Sequence, residues 1–130
     1  MSANMSRYAE LIGRIFMSVI FLLSGLNKIG GFAGTQSYME SMGVPGMLLP
    51  LVIALEVGGA IAIMIGWHTR WFALALAGFS IAAALLFHLN FNDKVQTIMF
   101  LKNIAIAGGF MVIAAHGPGD LSLDKRLGRY

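Results

Sequence analysis

Four long apolar runs, residues 11–29, 48–65, 71–89 and 97–115, alternate with short polar breaks along the chain. None of them alternates with period two, which argues against strands and a barrel. Each holds about 20 residues, the length at which a helix crosses the hydrocarbon core of a bilayer. The pattern therefore predicts an all-α integral membrane protein, a four-helix up-down-up-down bundle filling residues 1–130.

The breaks carry turn chemistry. Gly30-Gly31 stops the first run, and Pro45 and Pro50 fall before and within the first turn of the second, where a missing N–H does little harm. Gly66 closes the second helix, and residues 67–69 leave room only for a tight antiparallel hairpin. Asn90-Phe91-Asn92-Asp93 turns the third run into the fourth, and Gly117-Pro118-Gly119 ends the fourth. Residues 35–42 predict a short interfacial helix with Tyr38, Met39 and Met42 in the lipid boundary. The last dozen residues are polar and are expected on the inner membrane surface. Arg14 interrupts the first run and no A-x-A site follows it, so a retained span is expected rather than a cleaved signal.

Helical steps of three and four gather the polar residues. Arg14, Ser18, Phe21, Gly25 and Lys28 share a face of the first helix. Val52, Glu56, Gly59, Ile63 and Gly66 do so in the second, Ala77, Ile81, Ala84 and His88 in the third, and Ile98, Lys102, Ala105, Gly109, Val112 and His116 in the fourth. Small residues allow close helix approach and polar ones avoid lipid, so these stripes are expected to form the interior. Counting 1.5 Å per residue puts Glu56 about 12 Å, and Lys102 about 7–8 Å, below the membrane edge away from the termini. Lys28 and His88 fall at that edge, with the amides of Asn27 and Asn103 nearby. The expectation is a polar pocket built by Glu56, Lys102, His88, Lys28, Asn27 and Asn103, in which Glu56 and Lys102 face each other. A charge at membrane depth costs about 2.5–3.5 kcal/mol, so each is a site candidate by default. The structural readings stand beside this. Glu56 and Lys102 would be a pair fixing helix register. Lys28 would be an interface anchor, His88 an interfacial histidine, and Arg14 a snorkelling topology residue.

Composition sharpens the class. The chain is 58% hydrophobic and 12% charged, against about 25% charged in soluble domains. The net charge of +3 is dispersed near span ends, so orientation and lipid contact explain it better than nucleic acid. Arg7, Arg14, Arg70, Lys125, Arg126 and Arg129 belong to the side of the termini, and only Lys28 and Lys94 to the other, which predicts cytoplasmic termini. With no cysteine, thiol redox chemistry and thiolate metal sites fall outside this chain. The nine methionines do not cluster at copper-ligand spacing. His68 and His116 sit in or beside turns, a poor setting for a bis-histidine haem, and no metal site is expected. The Gly58-Gly59 and Gly108-Gly109 pairs are expected to be packing surfaces.

The same residues resemble a known family. Arg14, Ser24-Gly25-Leu26-Asn27-Lys28, Phe32, Tyr38-Met39 and Gly43-Val44-Pro45 are similar to the opening of DoxX proteins. Glu56, Gly58-Gly59, Gly66 and Thr69-Arg70 continue the pattern. Lys102-Asn103-Ile104-Ala105-Ile106-Ala107-Gly108-Gly109, Gly117-Pro118-Gly119 and Leu121-Ser122-Leu123-Asp124 close it in the manner of the YphA-like inner-membrane branch. The resemblance implies a four-span bacterial inner-membrane protein. Founding members of the family are small subunits of quinone-reducing thiosulfate oxidation or terminal oxidase systems, and others belong to redox-stress complexes with soluble oxidoreductases. It thus implies a redox-associated accessory subunit with a quinone or small-molecule pocket, an oxidoreductase partner, and little catalysis of its own. In such a pocket Lys102, His88 or Lys28 would donate to a quinone carbonyl, and Glu56 would carry the coupled proton. Two further readings stand. One is a scaffold or assembly factor docking through the basic tail, 125–129. The other is a small-solute transporter, which with four helices would act as a homo-oligomer.

Overall fold

The computed structural model describes residues 1–129. All regular structure among them is helical: α1 (Ala3–Gly30), α2 (Phe32–Ser41), α3 (Gly46–Ile65), α4 (Thr69–Phe87), α5 (Lys94–His116) and a short α6 (Leu123–Arg126). Four of these, α1, α3, α4 and α5, are long and apolar enough to cross a membrane. α1 starts eight residues before its apolar run because Ser2 caps it, its hydroxyl accepting from the Met5 amide at 3.2 Å. Asp93 does the same for α5, accepting from Val95 N at 2.9 Å.

α3 is not a uniform helix. It opens with a 3-10 turn (Gly46–Leu48), continues as α-helix (Leu49–Ile53), widens into a π-turn (Ala54–Gly58) and resumes as α-helix (Gly59–Ile65). It ends on Gly66 in the left-handed region, φ 75°, with Trp67 N donating to Ala62 O and Gly66 N to Ile63 O, a Schellman cap.

The interior is made of small and aromatic residues. Phe110 and Leu76 are fully buried, and the Phe21 ring meets Phe110 edge-on at 5.5 Å. Ala60, Ala73, Ala77, Ala107 and Ala114 join the same cluster and let the helices approach closely. α4 and α5 form the most extensive helix pair, and α1 packs chiefly on α3.

The predicted faces of α1 and α3 match the buried ones: Arg14, Ser18, Phe21 and Gly25, then Glu56, Gly59 and Ile63. Two faces differ. In α4 the buried row is Ala73, Leu76, Ala77, Ser80 and Ala84, and Ile81 is exposed. In α5 the expected stripe is rotated outward: Ile98 and Val112 are about two-thirds exposed (64% and 67%), and Lys102, Ala105 and His116 are exposed too. The inward residues are Ala107, Phe110 and Ala114, with Asn103 and Ile106 half-buried beside them. α5 is apolar on every side, so its sequence gives no direction, and taking Lys102 as inward turned the whole stripe. The glycine pairs divide: Gly59 is buried and Gly109 half-buried, whereas Gly58 and Gly108 are exposed.

The tail, described up to Arg129 with Tyr130 outside the described residues, is more than a polar surface segment: it packs into the end of the bundle where the termini meet. Ser122 and Asp124 are buried there. Arg14, expected to snorkel, is 3% exposed and donates to the carbonyls of Pro118 and Leu121, both at 2.5 Å. A side chain at Gly66 would collide with Ser122 and the Arg14 guanidinium, so glycine is required there for space as well as for φ. Arg70 reaches the last carbonyls of α5, donating to Ala114 O and Ala115 O at 2.9 Å.

Asp124 caps α4 from a distance in sequence. Its Oδ1 accepts from His68 N and its Oδ2 from Thr69 N, each at 2.8 Å. Burial opposes its charge, but the hydrogen bonds from Thr69, His68 and Arg129 outweigh burial and hold its carboxyl below the ordinary value. A carboxyl that binds its proton less readily when folded contributes fully above its unfolded pKa, about 4, and loses that contribution as pH falls through the lower folded value. The His68 and Thr69 amides should therefore stay protected from hydrogen exchange at about pH 5 and lose protection only in stronger acid. Loss of protection between neutrality and pH 5 would assign the docking to another group.

Candidate functional site

The far end of the bundle, away from the termini, holds the candidate site, and the π-turn sets its geometry. A π-turn inserts an extra residue into the helical ladder and is often found at functional sites. Here it spans Ala54–Gly58 and carries Glu56, which is 1% exposed. α1 approaches closely because Gly25 faces this turn: a Cβ there would lie 2.6 Å from Val57 Cγ2 and 3.2 Å from Glu56 Cβ.

One turn along α1, Lys28 reaches back into the bundle. Its ammonium lies 2.6 Å from Glu56 Oε1 and donates to Ser24 Oγ at 2.7 Å. Glu56 Oε2 has no hydrogen-bond partner among the described residues. The partner of the buried acid is thus Lys28, not the expected Lys102. The sequence reading placed Lys28 at the edge by counting rise along the backbone. The lysine stem is long enough to bring its head group inward to the acid.

The pair lies on the wall of a cavity of about 490 Å³ between the two helical hairpins. α2 lies beside it: Met39 is buried, and the Tyr38 ring stacks on Phe87 with centroids 5.5 Å apart. This corrects the expectation that α2 turns Met39 to lipid, whereas Met42 stays exposed and so does Tyr38 despite its stacking on Phe87. Gln36 Nε2 donates to Gly46 O at 3.1 Å, tying α2 to the start of α3. Phe79, Leu86, Phe87 and Ile106 supply apolar lining.

The structure brings Glu56, Lys28, His88, Lys102 and Asn103 to this one cavity. Asn27 lies instead on an adjoining open groove that shares Ile20, Ser24, Lys28 and Thr35 with it. His88 Nδ1 is 2.7 Å from Gln96 Oε1, a contact that fastens the end of α4 to the first turn of α5. Lys102 makes no ion pair or hydrogen bond with any described residue. Ser24, Thr35, Tyr38 and Ser80 are not among the residues that the sequence assigns to the pocket, yet they line the cavity. Ser24 was within reach of inference, since it lies one helical turn from Lys28 on α1. No group of three His, Asp or Glu side chains suited to a metal occurs among the described residues.

Comparisons with known proteins agree with this architecture. The DoxX family profile matches residues 9–89, which include Ser24, Lys28, Glu56 and His88 and stop short of α5. The inner membrane protein YqjF of Escherichia coli (strain K12) is 52% identical over 119 residues, 92% of each chain. The inner membrane protein YphA of the same strain is 40% identical over 123 residues, covering 89% of this chain and 88% of that protein. A Bacillus subtilis (strain 168) protein named "Putative oxidoreductase CatD" is 30% identical over 101 residues, 75% of each chain. No solved structure matches. Four spanning helices, a profile match over most of the chain and relatives aligned over about nine-tenths of it make this a small multi-pass inner-membrane protein that belongs to the DoxX family.

Proposed function

We propose that this protein is a redox-associated accessory subunit whose far-end cavity holds a quinone-type molecule, with both termini in the cytoplasm. The observation that carries the reading is the pair that half-buried Lys28 makes with buried Glu56 on the wall of an otherwise largely apolar cavity between helices of spanning length. Ligand sites of about 300–1,000 Å³ with a few convergent polar groups are the usual form of small-molecule pockets, and 490 Å³ falls in that range. A relative named as an oxidoreductase adds support for redox association.

A bound quinone would take up two electrons and two protons. Lys28, Lys102 and the Asn103 amide are the donors available to its carbonyl oxygens, and Phe79, Phe87 and Ile106 are the surfaces available to its ring. Glu56, with one oxygen on Lys28, is the group placed to carry a proton between ammonium and ligand. The electrons come from an associated oxidoreductase, since this chain has no thiol with which to relay them. The concentration of arginine and lysine at the end of the termini supports the orientation.

The test is binding of a neutral methylnaphthoquinone to the purified full chain in lipid nanodiscs, with Ala83→Phe as the variant. Ala83 lines the cavity and is not one of the partners of the ion pair, so a ring there takes up space without removing a charge. Saturable binding to the parent protein, weakened by about tenfold or more in Ala83→Phe, is expected, equivalent to at least 1.4 kcal/mol. Absence of binding to the parent, or unchanged binding in the variant, would remove the reading.

A further inference from the structure

The cavity is not electrically balanced. Two lysines border it, Lys28 and Lys102, against a single carboxylate, Glu56. Glu56 is committed to Lys28, which Ser24 also holds. The other acids of the described chain, Glu10, Glu40, Asp93, Asp120 and Asp124, do not line it. His88 adds no negative charge and is engaged with Gln96. Lys102 is left without a counter-charge among the described residues, five residues into the apolar run of α5 and so about 7–8 Å along the helix from that run's start. An ammonium at that depth is costly unless something anionic meets it or its stem carries it to the interface.

We infer that the molecule this cavity takes is an acid, a flat apolar ring system bearing one ionised oxygen, and that Lys102 is the residue that selects it. This rests on the quinone-type reading above and narrows it to ligands whose ring carries an acidic hydroxyl. An ionised oxygen on Lys102 would neutralise the surplus charge and form a charge-assisted hydrogen bond, the stronger kind. Asn103, next in sequence and also on the cavity, offers an amide N–H to a neighbouring carbonyl oxygen. Phe79, Phe87 and Ile106 receive the ring. A neutral ring of the same shape would fill the space and accept a hydrogen bond from Lys102, but leave its charge uncompensated. Lys102 and Asn103 lie outside the segment that the family profile matches, so the selection is argued from this chain's own helix.

The probes are a hydroxynaphthoquinone that is ionised at neutral pH and the neutral methylnaphthoquinone of the same ring system. Each is titrated into the full chain in phosphatidylcholine nanodiscs. The ionised probe should bind about 10-fold to 100-fold more tightly, the range expected for one hydrogen bond to a charged group. Lys102→Gln, whose amide still donates to a carbonyl but carries no charge, should reduce that preference to less than about threefold by weakening the ionised probe more than the neutral one, and Lys102→Arg should keep it. Lys102 is exposed on the protein, so neither variant disturbs the core. Equal binding of the two probes to the parent, or a preference that survives Lys102→Gln, overturns the inference while the quinone-type reading stands. Failure of both probes to bind removes both. A preference that disappears when phosphatidylglycerol is added to the discs shows that a lipid headgroup occupies Lys102, and this too overturns the inference.

Discussion

Lys28→Met is expected to destabilise the protein by about 3–5 kcal/mol, the usual cost of leaving one member of a buried ion pair without its partner. The stranded group would be Glu56, 1% exposed, with no other cation bonded to it. The opposite substitution, Glu56→Met, should cost clearly less. The Lys28 side chain is 26% exposed and keeps Ser24, so its head group can swing toward the membrane edge. The double variant Lys28→Met/Glu56→Met should recover most of the loss, because a matched apolar pair replaces both charges. Reversible unfolding of the three variants in mixed micelles checks the order. Single variants that both cost less than about 1 kcal/mol would show that the pair carries little energy. A double variant as unstable as Lys28→Met would show that the loss comes from packing.

Arg14→Leu should release the C-terminal segment. The guanidinium, 3% exposed, satisfies two backbone carbonyls that no other described side chain reaches, those of Pro118 and Leu121. Hydrogen bonds from charged groups contribute about 1.5–3 kcal/mol each, so a loss of about 3 kcal/mol or more is expected. Arg14→Lys should rescue it only in part, since a point charge cannot reproduce the planar fork that spans two acceptors. Trypsin applied from the side of the termini gives the readout. In the parent, residues 122–126 are held by Asp124 and Ser122, and cleavage after Lys125 and Arg126 should be slow. In Arg14→Leu it should become fast while the spans stay folded. Unchanged cleavage would mean that Asp124 alone anchors the segment.

The sequence carried the fold well and the site in part, and the differences have physical causes. Four runs of spanning length leave few architectures, and α1 and α3 show their inner faces because each mixes small, polar and aromatic residues at steps of three and four. α5 has apolar residues on every side, so a single polar residue was made to decide its rotation. Lys102 and Asn103 are adjacent, about 100° apart around the helix, and Asn103 is the more buried of the two. The charge pairing was missed for two reasons. Depth counted along a regular helix ignores the length of a lysine stem, and nothing in Ala54–Gly58 announces a π-turn. The role of Asp124 was out of reach because its partners, His68 and Thr69, lie more than fifty residues away and bond through their backbone.

That last contact bears on how the protein is made. The start of α4 is capped by a side chain that the ribosome adds only after the fourth span. During synthesis the first three spans enter the bilayer with the His68 and Thr69 amides bare. The bundle can close at this end only once the segment behind the fourth span has been made. A chain cut just after His116 would therefore have all four spans present and the turn between the second and third left uncapped.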